Sequence, residues 1–417
     1  MFAISWRAVP FWGLILALFT GSANAQDPRI ITLDDALELS GVAVEADTPV
    51  TNPRLVGPRA ETDAAAALVD QARLRPNPEV SFDVENVAGS GAFSGLQSTE
   101  YTLSVGQRLE LGGKRSARVG AAEAQAELAS LRADLTTVEL GRLVRERYLM
   151  AAAAAARVEL AEDVVARNKE LARIAGVLVE VGREPPQRAL RADAALAEAR
   201  ARLVEAEAES LSARTALASL WAGAEAPFVP AEFPTIVPPA SVMSQATESL
   251  TYRVARAESA AAAAEIERQR SLRIPDPTVS AGVRRFRESG DNAFLVGVSI
   301  PFPFLNRNQG NIAAAEARLR AANAREAVAL ADYEQAVVTA GARYLGAEAR
   351  VETLSQTSLP QAEEALRLVR IGYRNGRFPL IEVLAAAEAR DTIREALIAA
   401  REQRGLAAAE LIGLAAQ

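Results

Sequence analysis

YTLSVGQRLELGGKRSARVGAAEAQ, residues 101–125, alternates apolar and polar side chains as far as Leu111, passes Gly112 and Gly113, and then becomes an alanine-rich, charge-rich run without proline. VSIPFPFLNRNQGNIAAAEAR, residues 298–318, makes the same change through Pro301, Pro303, Asn306, Arg307 and Gly310. A period of two reads as a strand with one apolar face, and the run that follows suits a long helix. In the first stretch Tyr101, Leu103, Val105, Leu109 and Leu111 alternate with Thr102, Ser104, Gly106, Arg108 and Glu110. In the second Phe294, Val296, Val298, Ile300 and Phe302 alternate with Gly297 and Ser299. Each junction has to satisfy a helix N-terminus while turning the chain out of a sheet, tasks that an Asn side chain and the free backbone of Gly serve.

Working outward, the rest of the chain is also written twice. Pro76-Asn77-Pro78 precedes Val80, Phe82 and Val84, and Pro275-Asp276-Pro277 precedes Val279, Ala281 and Val283. Glu123 answers Glu316, Arg147-Tyr148-Leu149 answers Arg343-Tyr344-Leu345, and Gly182-Arg183-Glu184-Pro185 answers Gly376-Arg377-Phe378-Pro379. Anchors in one order mark a duplication. Each copy predicts a helix (about 59–74 and 248–271) stopped by its Pro-x-Pro, since proline cannot continue a helix and restricts the residue before it. A β-hairpin follows (about 79–111 and 278–304), then a long helix (about 114–180 and 310–374, the second with a break expected near Pro360). A tight turn (about 181–187 and 375–381) leads to a returning helix (about 187–221 and 381–414). The expected organisation is therefore a signal peptide at 1–25, a first repeat at 26–221, a proline-rich connector at 222–241 and a second repeat at 242–417. The signal peptide is read from Arg7, the apolar run at 8–19 and Ala23-Asn24-Ala25.

Composition narrows the chemistry. The 417 residues include no Cys and no His, with Lys+Arg 46 against Asp+Glu 53 and a formal net charge of -7. Thiol and imidazole chemistry are excluded, as is a cysteine lipid anchor, and an acidic chain is a poor nucleic-acid partner. No cofactor, metal site or enzymatic activity is expected: acidic residues are many, but no aromatic platform or convergent carboxylate pair marks a glycosidase.

The membrane argument rests on the hairpins. No segment after the leader could span a bilayer as a helix, whereas four amphipathic strands could reach across it at a tilt. Four strands cannot close a barrel, and lipid tolerates no open sheet edge, so such a chain must oligomerise as a dimer, trimer or tetramer. A soluble periplasmic coiled-coil adaptor shares the long helices but has no need of the paired strands.

Residues 300–310 with Ala315-Glu316-Ala317, the Thr32 to Leu39 segment, Asn52-Pro53, the two Pro-x-Pro strands and residues 376–386 resemble the signature of TolC-like outer-membrane efflux channels. Residues 109–115, LELGGKR, are similar to the cobalt-zinc-cadmium resistance branch of that family. The resemblance implies an α+β membrane protein. Its long helical hairpins form a periplasmic α-barrel, and its two β-hairpins supply one third of a homotrimeric twelve-stranded barrel in outer-membrane lipid. It also implies a periplasmic membrane-fusion adaptor, an inner-membrane RND-type pump and passive export of heavy-metal cations, with an exit duct for drugs or secreted protein as the alternative. Gly182, Arg183, Pro185, Gly376, Arg377 and Pro379 then fall at an adaptor-docking tip, and Tyr373 and Glu382 near the periplasmic constriction. Arg188 stands where the first copy matches Glu382; it is expected to pair with a neighbouring acid in the closed state.

Overall fold

The computed structural model describes residues 30–43, 51–223, 225–239 and 246–416. The expected leader at 1–25 lies outside the described residues. Its elements, in chain order, are α1 (Leu33–Leu39), α2 (Pro53–Arg73), β1 (Glu79–Glu85), β2 (Glu100–Arg108), α3 (Lys114–Glu180), α4 (Pro186–Ala218), α5 (Leu250–Ser271), β3 (Thr278–Phe286), β4 (Asn292–Ser299), α6 (Gln309–Thr353), α7 (Leu359–Arg374) and α8 (Leu380–Ala416). The 67 residues of α3 span about 100 Å at the α-helical rise. Long helices and a small sheet thus occupy opposite ends of an elongated protomer, joined at residues 109–113 and 300–308.

The strands form one antiparallel sheet in the order β1-β2-β3-β4. Register decides its two faces. Val80 pairs Val105, Val105 pairs Ala281 and Ala281 pairs Val296, while Phe82, Leu103, Val283 and Phe294 make the parallel row beside them. Along these two rows one face is aliphatic and aromatic from edge to edge, with Gln107 and Arg285 on the rows to either side, and in β3 and β4 this face is the more exposed one. The other face carries Ser81, Ser104, Ser280, Gly282 and Gly297; near its far end Arg284 pairs with Glu85 at 2.7 Å and Glu100 at 2.9 Å.

Both strands before the junctions stop earlier than their alternation predicts. β2 ends at Arg108, and β4 at Ser299. Leu109 N–H still donates to Pro277 C=O at 2.8 Å, but Pro301 and Pro303 have no N–H for a ladder, and the chain leaves the sheet. The apolar alternation through Ile300 and Phe302 therefore belongs to irregular backbone.

Two helices also differ from the sequence reading. α2 begins six residues earlier than expected, at Pro53, because Asn52 caps it: its Oδ1 accepts from Arg54 N–H at 3.0 Å while its amide holds Ser40 and Leu220 carbonyls. The expected break near Pro360 is a π-helical turn, Leu354–Ser358, and the backbone stays right-handed through it. Pro360 then falls in the first turn of α7, where its missing N–H costs nothing.

The core is a belt around the middle of the long helices. Leu140, Val144, Tyr148, Ala151 and Ala152 of α3 gather α1, the start of α2, the end of α4 and Val229 of the 225–239 segment. Ala151, Ala152 and Ala153 are fully buried, so small side chains here let helix backbones approach closely. Gly405 shows how closely: a Cβ there would stand 2.7 Å from Leu149.

Candidate functional site

Three places carry chemistry: the sheet-to-helix junction, the seam between α3 and α8, and the two hairpin tips. At the junction Gly112 and Gly113 both adopt positive φ, 68° and 69°. Gly112 has no alternative, since a Cβ would meet Ile274 at 2.4 Å. The turn brings Lys114 to Asp276, with Nζ to Oδ1 at 2.5 Å and both side chains largely buried; the same oxygen accepts from Leu111 N–H at 3.0 Å. Lys114 of the first copy is thereby tied to the Pro-Asp-Pro of the second. Arg118, paired with Glu110, donates to the Ala72 and Leu74 carbonyls at the end of α2. The hydrogen bond and charge of Glu110 hold its guanidinium above the ordinary value despite burial. In the second copy the same task falls to Asn308, which takes φ 62° and donates to Gln269 C=O at 2.8 Å. Pro301, Pro303, Asn306, Arg307 and Gly310 all lie in or beside this turn, with Arg307 exposed.

The tips are copies of one another. Gly182 and Gly376 have φ of 71° and 70°. Arg183 N–H reaches Leu178 C=O at 2.9 Å, and Arg377 N–H reaches Gly372 C=O at 2.8 Å, the six-to-one bond of a glycine-terminated helix. Pro185 and Pro379 then lead into α4 and α8. Arg183 and Arg377 are exposed, with no ion pair among the described residues. Arg188 finds its acid in Glu184, four residues back in its own hairpin, at 3.0 Å. Among the described residues it makes no ion pair outside that hairpin. Tyr373 packs against Leu366, Val383 and Ala387. Glu382 is exposed just beyond the turn.

Bridges between hairpins sit higher, on residues the sequence did not single out. Arg394 meets Asp163 at 2.5 Å, and Arg157 meets Glu402 at 2.7 Å, Glu395 at 3.1 Å and Glu209 at 3.8 Å, so that one guanidinium joins α3, α4 and α8. Burial alone would lower Arg157; the hydrogen bonds and charges of Glu402 and Glu395 outweigh it and raise it. Nearest the tip, Asp391 is shared by Arg167 and by Arg390, the latter at 2.6 Å. These side chains are 13%, 17% and 18% exposed, so the group is poorly hydrated. Arg370 is lowered by burial and by repulsion from Arg390, Arg167 and Arg374, which Asp391 only partly offsets. One carboxylate thus holds together a group of arginines. Among the described residues no cluster of three or more acidic side chains gathers to hold a metal ion.

An outer membrane efflux protein profile matches residues 49–223 and 246–417, nearly the whole described chain. The chain belongs to the outer membrane efflux protein family. Within the curated proteins it is 33% identical to the cobalt-zinc-cadmium resistance protein CzcC of Cupriavidus metallidurans, over 85% of this chain and 83% of that protein. It is 31% identical to the nickel-cobalt-cadmium resistance protein NccC of Alcaligenes xylosoxydans xylosoxydans, over 76% of this chain and 71% of that one. The crystal structure of the outer membrane protein VceC from Vibrio cholerae superposes with a TM-score of 0.73 at 20% identity, covering 92% of this chain and 95% of that one, a likeness of fold. Membership of an outer membrane efflux family assigns the sheet to the outer membrane and the helices to a conduit. Among the described residues no helix is long and apolar enough to cross a membrane.

Proposed function

We propose that this outer membrane efflux protein is one third of a trimeric duct that passes heavy-metal cations out of the cell, without catalysis, from a periplasmic adaptor and an RND-type pump. The observation that carries the reading is the sheet. Four strands present a largely apolar face, yet β1 and β4 leave both edges unpaired within the protomer. In hydrocarbon each unpaired backbone group is too costly to leave open, so the edges must find each other in neighbouring copies. Three copies give twelve strands, and the same closure brings three sets of long helices around one axis. Metal cargo is favoured by the resistance proteins to which the chain is similar.

In this reading residues 26–221 and 242–417 are the repeat units, with 222–241 as the connector. The exposed tips, with Gly182, Arg183, Pro185, Gly376, Arg377 and Pro379, face the adaptor. Three copies of Glu382, beside Tyr373, ring the aperture and attract cations. Deleting the gene should sensitise cells to at least one of zinc, cobalt, cadmium or nickel, with unchanged tolerance of hydrophobic drugs, and plasmid-borne protein should restore resistance. Sensitisation to drugs alone would reject the metal reading.

A further inference from the structure

The apolar alternation of the β4 sequence continues into the irregular backbone beyond the strand. Phe294, Val296 and Val298 are 89%, 81% and 64% exposed, and Ile300, Phe302 and Phe304 continue the same alternation beyond Ser299 at 59%, 84% and 64%. Phe302 and Phe304 lean on each other, with ring centroids 6.2 Å apart. Beneath them lies an open groove of about 500 Å³, floored by Ile274 and Pro303 and flanked by Arg270, Arg273 and Arg307. Arg270 is already engaged, by Glu267 at 2.9 Å and Glu316 at 3.0 Å. Among the described residues no carboxylate pairs with Arg273 or Arg307.

The duplication explains why Arg307 is left over. It occupies the second-copy position of Lys114, on the alignment that pairs Glu123 with Glu316. Lys114 is neutralised by Asp276, the central residue of the second Pro-x-Pro. In a closed ring the second junction meets the first Pro-x-Pro of the next copy, whose central residue is Asn77, which is neutral. A cation was kept and its acid was not.

We propose that this groove binds an anionic glycerophospholipid of the periplasmic leaflet, with the phosphate between Arg273 and Arg307 and an acyl chain along Phe302 and Phe304. The aromatic pair sits where the lipid-facing surface of β4 ends, which is the depth of a membrane interface. Two guanidiniums just beyond it meet the headgroup phosphate with charge-assisted hydrogen bonds. The guanidiniums would attract any anion; the exposed aromatic pair beside them is what favours a lipid over a soluble anion. The inference rests on the proposed trimer.

Native mass spectrometry of the full-length protein in neutral detergent tests it, because one spectrum reports both assembly and lipid adducts. With added phosphatidylglycerol the trimer should keep bound lipid at least about 10-fold better than with phosphatidylcholine. R273Q/R307Q should remove that preference, and F302A/F304A should weaken both lipids alike. Inorganic phosphate at millimolar concentration should not displace the lipid; displacement would identify a free-phosphate site and overturn the proposal. So would a double arginine variant that keeps the preference, or one that loses the trimer while its lipid retention is unchanged, which would assign the arginines to the neighbouring copy. Lipid-free trimers of the wild type would defeat this inference alone, whereas monomers would defeat the reading beneath it.

Discussion

Replacing Asp391 with asparagine is expected to loosen the periplasmic end of the protomer more than any other single charge change. Among the described residues the carboxylate is the only ion-pair partner of Arg167 and Arg390, and it also offsets the repulsion felt by Arg370. Removing one partner of a buried ion pair leaves the other charge unpaired at about 3–5 kcal/mol. Residual hydration of the group reduces that here, so a loss of about 2–4 kcal/mol is expected. Hydrogen exchange should quicken in the lower halves of α3, α7 and α8, and single-channel conductance should rise. Adding Arg167→Gln should recover part of the loss, a coupling of at least about 1 kcal/mol in a double-mutant cycle. Arg188→Ala gives the contrast. Its half-exposed pair with Glu184 lies within one hairpin, and pairs of that kind contribute about 0.3–0.5 kcal/mol, so conductance should not move. An Asp391→Asn protein with wild-type exchange and conductance would remove the seam from the account.

Val283→Arg should prevent assembly in the membrane. Val283 stands mid-sheet on the apolar face, between Leu103 and Phe294. An arginine at the lipid midplane of a barrel costs about 2–4 kcal/mol, and three chains would carry the cost together, roughly 6–12 kcal/mol per trimer. Asp83→Arg places the same side chain at nearly the same depth on the opposite, polar face, where the cost should fall below about 1 kcal/mol. Heat-resistant trimers in outer-membrane fractions would report both. Equal loss in the two variants would mean that the faces have been assigned the wrong way round.

What could be read from the sequence follows from how local each signal is. Lys114 and Glu180 bound α3 as expected because Gly112-Gly113 and Val181-Gly182 act on the backbone beside them. The strand ends were overshot because Leu109, Leu111, Ile300 and Phe302 keep the alternation after the hydrogen-bond ladder has ended, and hydropathy does not record a lost N–H partner. Pro360 signalled a break, but whether a chain breaks or widens one turn depends on helices packed beside it. The seam was invisible for another reason. Asp163 and Arg394 are 231 residues apart, on helices where charged side chains occur on almost every turn, so no spacing distinguishes a bridge from a hydrated face. The Glu184–Arg188 pair is the reverse case: a four-residue spacing made it legible, while its position in one turn makes it weak.

The central claim is that β1 of one copy pairs with β4 of the next until a ring of three closes. The natural absence of cysteine allows a direct test. Within a protomer β1 and β4 are three strand spacings apart, about 14 Å, too far for a disulfide. Pairs of cysteines, one at Val80, Phe82 or Val84 and one at Phe294, Val296 or Val298, can therefore join only neighbouring copies. After oxidation in native membranes, the register-matched pair should give a covalent product of three chains and nothing larger on a denaturing gel. Chains that stay single with every pair, or a ladder that runs past three, would contradict the closed trimeric barrel.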